Sequence, residues 1–143
     1  MEEDLLLGIE SKIGRKHFFF ADLDDKDWEK AKEKCKLLVE KYFDRVWLLF
    51  SGNGFHIAAF EPISLNKLIK INEEIKADEK FIIYIKRLKK AVLRLSRKSE
   101  HAWVPRLVAV FFKKRKPLNF WEKLYLKMLK VEDKIYRVER VIV

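Results

Sequence analysis

The sequence predicts an α+β fold in which a mixed sheet of about five to six strands carries helices mainly on one face. Three observations lead to this prediction. Short aromatic or β-branched runs alternate with longer stretches in which apolar residues recur at helical spacing. These stretches follow one another in the order βαββααβαβ. No linker, repeat or low-complexity tract divides the chain, so residues 1–143 are expected to form a single domain.

The composition is that of a folded, cytoplasmic protein. The chain has 143 residues, of which 49% are hydrophobic, and this is enough to bury a core. No apolar run reaches the roughly 18 residues of a membrane span, and residues 1–4 lack the basic start of a signal peptide. The single cysteine, Cys35, cannot form an internal disulfide and fits a reducing compartment. Lys and Glu are abundant and Gln is absent, a bias typical of hyperthermophile proteomes.

The positive charge is concentrated in the second half of the chain. Residues 1–71 contain 12 Lys and Arg against 13 Asp and Glu, whereas residues 72–143 contain 20 against 9. The net charge of +10 therefore comes entirely from the second half, which carries +11 against −1 in the first half. Such an excess is expected for a surface that faces phosphates, and it is equally compatible with a solvated thermophilic surface.

The first half of the chain predicts two strands that flank a helix, and then a hairpin. Residues 16–24 are an aromatic run that ends in acids, which predicts a strand with a polar C-terminal end. Residues 25–43 have helical periodicity and acids in their first turn. Residues 45–50 are uninterrupted apolar, as in a strand buried on both faces. Residues 51–54 (SGNG) turn the chain into an alternating return strand at 55–60; Asn-Gly favours a hairpin because both residues tolerate positive φ.

Two helices are expected to follow the hairpin. Residues 64–76 predict a helix capped by Ser64. Residues 80–98 predict another, with apolar residues on one side and cations on the other. The segment FIIYI at 81–85 is also compatible with a strand.

The C-terminal part predicts two strands separated by a basic turn and a helix. Residues 102–112 read as a strand in which Pro105 indicates an edge or a bulge. Residues 113–117 (KKRKP) are the basic turn. Residues 119–130 predict a helix that begins with a capping box, and residues 134–143 predict the last strand.

Two carboxylates at the end of the first strand form the first motif that suggests a chemical function. Asp22 and Asp24 are two residues apart, so in a strand both side chains point to the same face. Such a pair offers the hard oxygen ligands that Mg²⁺ or Mn²⁺ prefers, and ions held in this way bridge substrate phosphates in nucleotidyl transfer. The alternative is structural: Asp24 or Asp25 caps the next helix and the other acids are solvated.

The Gly-rich hairpin forms the second motif. Backbone N–H groups around Gly52 and Gly54 can form an anion-binding nest, to which Ser51 and Asn53 add donors. His56 lies two residues further on, where it can donate to a phosphate oxygen. Taken alone, the stretch is a tight hairpin followed by a structural histidine.

Together the two motifs resemble those of the archaeo-eukaryotic primase superfamily, the primase–polymerases. The first motif of that family is an apolar strand with D-x-D, which Asp22 and Asp24 match. Its second motif is S-G-x-G-x-H, matched by Ser51, Gly52, Gly54 and His56. The order and approximate separation also agree. The resemblance covers residues 16–60, about a third of the chain.

The resemblance implies a fold, a substrate and cofactors. It implies an RRM-like primase core, here as a minimal catalytic module similar to the archaeal primase small subunit. Asp22 and Asp24 would be the catalytic acids that hold Mg²⁺ or Mn²⁺. The triphosphate of an incoming nucleotide would be bound by Ser51, Gly52, Asn53, Gly54 and His56.

One departure from the family concerns a third carboxylate, which the family usually supplies from a later strand. The corresponding strand here is 102–112, and it has Trp103 or Val104 where an acid is expected. Glu100 and Glu139 are the possible substitutes. If neither reaches the site, catalysis should be weakened or lost.

The basic second half is expected to hold a single-stranded template or a primer–template through sequence-independent phosphate contacts. The expected nucleic-acid-binding residues are Lys86, Lys90, Arg94, Arg106, Lys113, Lys114, Arg115 and Lys116. Three aromatic residues share strand parity with the motif residues and either stack on bases or pack in the core: Phe18, Phe20 and Phe60.

The leading hypothesis is therefore a primase/polymerase-type nucleotidyltransferase that makes or extends a primer on a nucleic-acid template. The second hypothesis is a catalytically inactive accessory subunit of a primase complex, which binds nucleic acid or a partner subunit. A generic basic RNA-binding domain is the third, and it leaves the D-x-D unexplained.

Overall fold

Within residues 8–95, 105–129 and 138–143, the ranges that the computed structural model describes, the chain forms eight strands and four helices. The strands are β1 (Gly8–Glu10), β2 (Lys12–Ile13), β3 (Lys16–Leu23), β4 (Arg45–Phe50), β5 (Phe55–Ile63), β6 (Val92–Arg94), β7 (Arg106–Phe112) and β8 (Glu139–Ile142). The helices are α1 (Trp28–Lys41), α2 (Leu65–Glu74), α3 (Glu79–Leu88) and α4 (Phe120–Met128).

Six of the strands form one mixed sheet in the order β2-β3-β5-β4-β7-β8. All neighbours in this sheet are antiparallel except β7 and β8, which are parallel. The remaining strands, β1 and β6, pair with each other as an antiparallel ribbon. The predicted α+β class with a mixed sheet is confirmed.

The aromatic residues of β3 divide between the two faces of the sheet. Phe19 packs against Phe43, which follows α1, with 5.3 Å between ring centroids. Its neighbour Phe18 points the other way and packs against Trp121 of α4 at 5.5 Å. α2 lies alongside α1, and α3 contacts α2. Three helices therefore group on one side and α4 covers the other, as the prediction of helices mainly on one face requires.

Side-chain caps fix where the helices begin. The Asp27 carboxylate accepts hydrogen bonds from the backbone of the first turn of α1, which therefore starts three residues later than the sequence predicts. Ser64 caps α2, as expected. Asn119 and Glu122 form the expected capping box of α4. Buried Glu122 also accepts a hydrogen bond of 2.7 Å from Nε1 of Trp47, which ties α4 to β4.

The long helix predicted for residues 80–98 is wrong beyond Leu88. Lys89 adopts a left-handed conformation (φ 59°) and its N–H donates to the Ile85 carbonyl, which ends α3. The chain then forms β6, which pairs with β1, a strand that the sequence pattern does not predict. This pairing joins segments about 80 residues apart, so local periodicity cannot reveal it. Residues 96–104 and 130–137, with the parts of the predictions that fall on them, lie outside the described residues.

The aromatic residues near the motifs belong to the core. Phe18, Phe20 and Phe60 are at most 4% exposed. Phe60 contacts both of the other rings and also Tyr125 of α4, at 4.9 Å. These residues pack in the core, and stacking on bases is excluded by their burial. Every helix within the described ranges is too short or too polar for a bilayer crossing.

Candidate functional site

The SGNG turn reverses the chain with one residue at positive φ. The N–H of Ser51 donates to the carbonyl of Gly54 (2.9 Å), which closes the hairpin between β4 and β5. Gly52 has φ 95°, in the region that favours glycine. Asn53 and Gly54 are not among the positive-φ residues, so the expectation that they turn the chain by positive φ is wrong.

Gly54 is required for a different reason. A Cβ atom at this position would lie 1.8 Å from the carbonyl oxygen of Leu23 and 3.3 Å from the Cα of Asp24. The hairpin therefore rests directly on the backbone at the end of β3. In the sheet, β3 and β5 are neighbours, and Asp22 pairs with His56. Close backbone approach and strand register together bring the two motifs to one place.

An open cleft of about 510 Å³ lies where these elements meet. Six of the seven residues predicted to bind the metal and the triphosphate line it: Asp22, Asp24, Ser51, Asn53, Gly54 and His56. Gly52 is not among the lining residues, although it shapes the turn. The sequence interpretation missed the other lining residues, which are Gly8, Leu23, Asp78, Lys80, Val92 and Leu93, and it assigned Arg94 to a template-binding helix instead of the cleft.

The two carboxylates of D-x-D are not used as helix caps. Asp27 caps α1, and Asp25 accepts a hydrogen bond from the N–H of Asp27 (2.9 Å), which holds the pKa of the Asp25 carboxyl below its usual value. The interpretation of Asp24 or Asp25 as the cap is therefore wrong. Asp22 keeps 37% of its side chain exposed and lines the cleft together with Asp24. Asp22 and Asp24 therefore both line the space that a ligand would fill.

His56 lies on the floor of the cleft as a neutral imidazole. It is 5% exposed, and burial, aided by the nearby charge of Arg94, lowers its pKa from 6.5 to about 4. The Nε2 atom is 3.7 Å from Oδ1 of Asp22, and this contact is not an ion pair at neutral pH because the ring carries no charge. The buried Nδ1 atom makes no hydrogen bond to any described residue.

Arg94 supplies a cation to the same cleft. It is the last residue of β6, and its Nη2 lies 3.4 Å from the carbonyl oxygen of Ser51. Partial burial of the guanidinium lowers the pKa of Arg94, and the charge of the Asp22 carboxylate opposes this shift without cancelling it. Arg94 therefore lies between the carboxylate motif and the hairpin motif, with its charge close to both.

Asp78 and Lys80 reach the cleft from the start of α3. The N–H of Asp78 donates to the carbonyl of Asp22 (2.8 Å), and its carboxylate caps α3 by accepting from Phe81 N. Lys80 lines the cleft with its side chain exposed. The sequence signal at this point is that of a helix cap. The contact of the cap with Asp22 depends on tertiary structure, which a local pattern does not encode.

Of the two expected substitutes for the third carboxylate, the structure describes only Glu139, which lies away from the cleft. Glu139 pairs with Ala109 on β8, and β8 is four strands away from β3. At the usual spacing of neighbouring strands this is about 19 Å, too far to share an ion with Asp22. Glu100 lies outside the described residues. Across the described ranges no three His, Cys, Asp or Glu side chains come together as a metal-binding group.

The predicted template-binding cations do not form one surface. Three of them are in ion pairs: Lys86 with Glu73, Lys90 with Glu10 and Lys116 with Asp44. Arg106 pairs with Phe50 at the cleft end of β4, whereas residues 113–116 follow the opposite end of β7. The basic helical face that was expected over residues 80–98 is wrong, because α3 ends before Arg94.

Comparison of the chain with protein-family models, with curated proteins and with solved structures gives no match. The resemblance to the primase–polymerases therefore rests on the two motifs themselves.

Proposed function

We propose that the protein is a primase–polymerase-like nucleotidyltransferase, which uses a nucleoside triphosphate and Mg²⁺ or Mn²⁺ to make or extend a primer on a nucleic-acid template. One observation carries the proposal. The D-x-D carboxylates and the S-G-x-G-x-H hairpin, about 30 residues apart in sequence, line one cleft. A volume of about 510 Å³ is within the range of small-molecule sites.

The carboxylates fit a divalent ion that is shared with a substrate. Mg²⁺ is usually held by one or two carboxylates, substrate phosphate oxygens and water. Asp22 and Asp24 would provide the protein ligands, and the open cleft leaves room for the others. When bound, the ion would activate the attacking 3′-hydroxyl and neutralise charge on the phosphates.

The hairpin side of the cleft suits the triphosphate. Neutral His56 carries one N–H, which can donate to a phosphate oxygen without adding charge. Arg94, beside the Ser51 carbonyl, can pair with phosphate oxygens as a planar, bidentate donor. Lys80 adds a second cation at the rim. These residues would bind and orient the triphosphate, and Asp22 and Asp24 would be the ligands of the ion.

Incorporation of labelled nucleotide into a primed template in the presence of Mn²⁺ tests the reaction. We expect Asp22→Asn combined with Asp24→Asn to lower the rate by at least about 100-fold, since outer-shell partners of a metal are already worth 10–100-fold. Asp25→Asn is the matched control, because Asp25 belongs to the same acidic run but does not line the cleft. Incorporation by the double variant at the wild-type rate would overturn the proposal.

A second candidate function is favoured by the charge next to Asp22. Arg94 interacts with Asp22 electrostatically, and the described residues supply no third metal-binding side chain. Both features suit an accessory primase subunit that keeps the cleft but does not catalyse. Calorimetric titration with a nucleoside triphosphate, with and without Mn²⁺, separates the two functions. Binding that Mn²⁺ strengthens and that requires Asp22 supports the enzyme, and binding that is indifferent to Mn²⁺ supports the accessory subunit.

A further inference from the structure

The outward side of α3 carries an exposed apolar surface that the core does not explain. Phe81 and Ile85 are the buried residues of this helix. Three other apolar or aromatic residues of the helix, Ile83, Tyr84 and Leu88, are each more than half exposed. Contiguous exposed apolar residues on a small domain mark an interaction site more often than chance exposure.

Two cations lie within the same surface. Residues three or four apart are neighbours on a helix, so one continuous stripe contains Lys80, Ile83, Tyr84, Arg87 and Leu88, and we call it the outer stripe of α3. Lys86 lies beside this stripe and is paired with Glu73. In contrast, neither Lys80 nor Arg87 forms an ion pair with any residue in the described ranges. The stripe therefore combines available positive charge with exposed apolar groups.

The outer stripe continues into the cleft. Lys80, at its N-terminal end, lines the cleft. Val92, which follows α3 and is 40% exposed, lines the cleft as well. A chain that leaves the cleft along α3 would pass Lys80 first, then Tyr84, and then Arg87.

We propose that the outer stripe of α3 binds single-stranded nucleic acid, with Tyr84 as a stacking platform for a base and with Lys80 and Arg87 as phosphate contacts. This inference rests on the proposed function, because the adjoining cleft is the place where a template base would meet the incoming nucleotide. Single strands present both an anionic backbone and unstacked base faces, which match the cations and the apolar groups of the stripe. Duplexes keep their bases stacked and offer mainly phosphates to such a surface.

The two other partners that suit an apolar, basic helix face are an acidic amphipathic helix and a second copy of this chain. Continuity with the cleft favours the single strand, since a docked protein would cover Lys80 at the rim of the proposed nucleotide site. The competing partners become outcomes of the test.

Fluorescence anisotropy with a labelled 20-nucleotide oligothymidylate, and with a duplex of equal length, tests the inference without nucleotide or divalent ions. We expect Tyr84→Ala to weaken binding of the single strand by about 10-fold, the order of losing one base–aromatic stack. Tyr84→Phe, which keeps the ring, should bind within about twofold of wild type. Phe120→Ala is the matched control, because Phe120 is also an exposed helical aromatic but lies on α4.

A salt series tests the cations. Each phosphate contact on a single strand contributes about 0.7 to the slope of log K against log salt, so Lys80→Ala with Arg87→Ala should reduce the slope by about 1.4. Lys123→Ala with Lys127→Ala, which replaces two exposed cations of α4, removes the same charge elsewhere and serves as the control for net charge.

Equal binding of the single strand by Tyr84→Ala and wild type would overturn the inference, and so would an equal loss in Phe120→Ala. A Tyr84-dependent dimer in light scattering, with unchanged oligonucleotide affinity, would assign the stripe to a second copy instead. Failure here is distinguishable from failure of the proposed function by a measurement on the wild-type protein. If only the stripe has been misassigned, the wild type still binds nucleoside triphosphate in a Mn²⁺-dependent manner, and if the proposed function fails, it does not.

Discussion

His56 lies where burial and a neighbouring cation act on its pKa in the same direction. Both disfavour the imidazolium, so its pKa falls to about 4 and the residue is neutral at pH 7. A neutral ring can remain 3.7 Å from Asp22 without neutralising that carboxylate. At the scale of single residues, the cleft thus places a neutral imidazole, and not a second cation, beside the Asp22 carboxylate.

The lowered pKa of His56 predicts how stability depends on pH. Because the unfolded state protonates first, near 6.5, the contribution of neutral His56 is fully present above that pH and is lost as the pH falls towards 4. The difference corresponds to roughly 3 kcal/mol. Urea unfolding at pH 7, 6, 5 and 4 should show a shallower decline for His56→Gln than for wild type. His17, whose pKa burial also lowers, contributes equally to both proteins. An NMR titration of His56 with a midpoint near 6.5 would contradict the prediction.

Substitution of Gly54 should have a steric effect, which is separate from any effect on the backbone φ angle. In Gly54→Ala the new Cβ would meet the Leu23 carbonyl at 1.8 Å, so the hairpin must move away from the end of β3. We expect the free energy of unfolding to fall by at least about 2 kcal/mol, as in severe overpacking. Asn53→Ala is the control, because Asn53 is exposed and should cost less than about 0.5 kcal/mol. Chemical denaturation measures both variants, and equal stabilities would show that the close approach is not required.

At the scale of elements, the sequence predicts those strands and helices that are determined by the pattern of neighbouring residues. β4 occupies the predicted residues 45–50 because an uninterrupted apolar run has no other stable place than a central strand. The end of α3 could not be predicted in this way. Residues 89–95 continue the helical spacing, yet pairing of β6 with β1 and the left-handed Lys89 decide the outcome. These are tertiary effects that outweigh local propensity.

Because Lys89 is in a left-handed conformation, substitution by glycine should change the stability of the protein in opposite directions at two nearby lysines. Lys89→Gly removes the strain of a side chain at φ 59° and should stabilise the protein by about 0.5–1 kcal/mol. Lys86→Gly, within α3, should destabilise it by about 1 kcal/mol, because glycine is a poor helix former. Thermal unfolding of the two variants checks the sign. Destabilisation by Lys89→Gly would mean that the helix does not end at this residue.

At the scale of the whole molecule, strand order explains which site residues the sequence could predict. The two motifs are recognisable from residue types and spacing, and the β3–β5 pairing then joins them. Arg94, Asp78 and Lys80 arrive at the cleft from α3 and β6, which local patterns do not place there. The same strand order takes Glu139 to the far edge of the sheet, and it takes residues 113–116 to the end opposite the cleft.

This arrangement predicts that two groups of cations have separate effects on ligand binding. Arg94→Ala should weaken nucleoside triphosphate binding by about 10-fold or more, the size of a lost charge-assisted hydrogen bond. Combined replacement of Lys113, Lys114 and Arg115 by Ala should leave it within about twofold, because the length of β4, about 17 Å, separates them from the cleft. Calorimetry in the presence of Mn²⁺ measures both. A triple variant that loses triphosphate binding as Arg94→Ala does would contradict the strand order as the basis of the site.

The central claim is that Asp22, Asp24, His56 and Arg94 form one metal-dependent nucleotide site. The most direct measurement is a crystal structure with Mn²⁺ and a non-hydrolysable nucleoside triphosphate, in which anomalous scattering locates the ion. The claim predicts an anomalous peak within about 2.5 Å of carboxylate oxygens of both Asp22 and Asp24, with the triphosphate beside His56 and Arg94. A triphosphate bound elsewhere, or an ion that touches neither carboxylate, would contradict it.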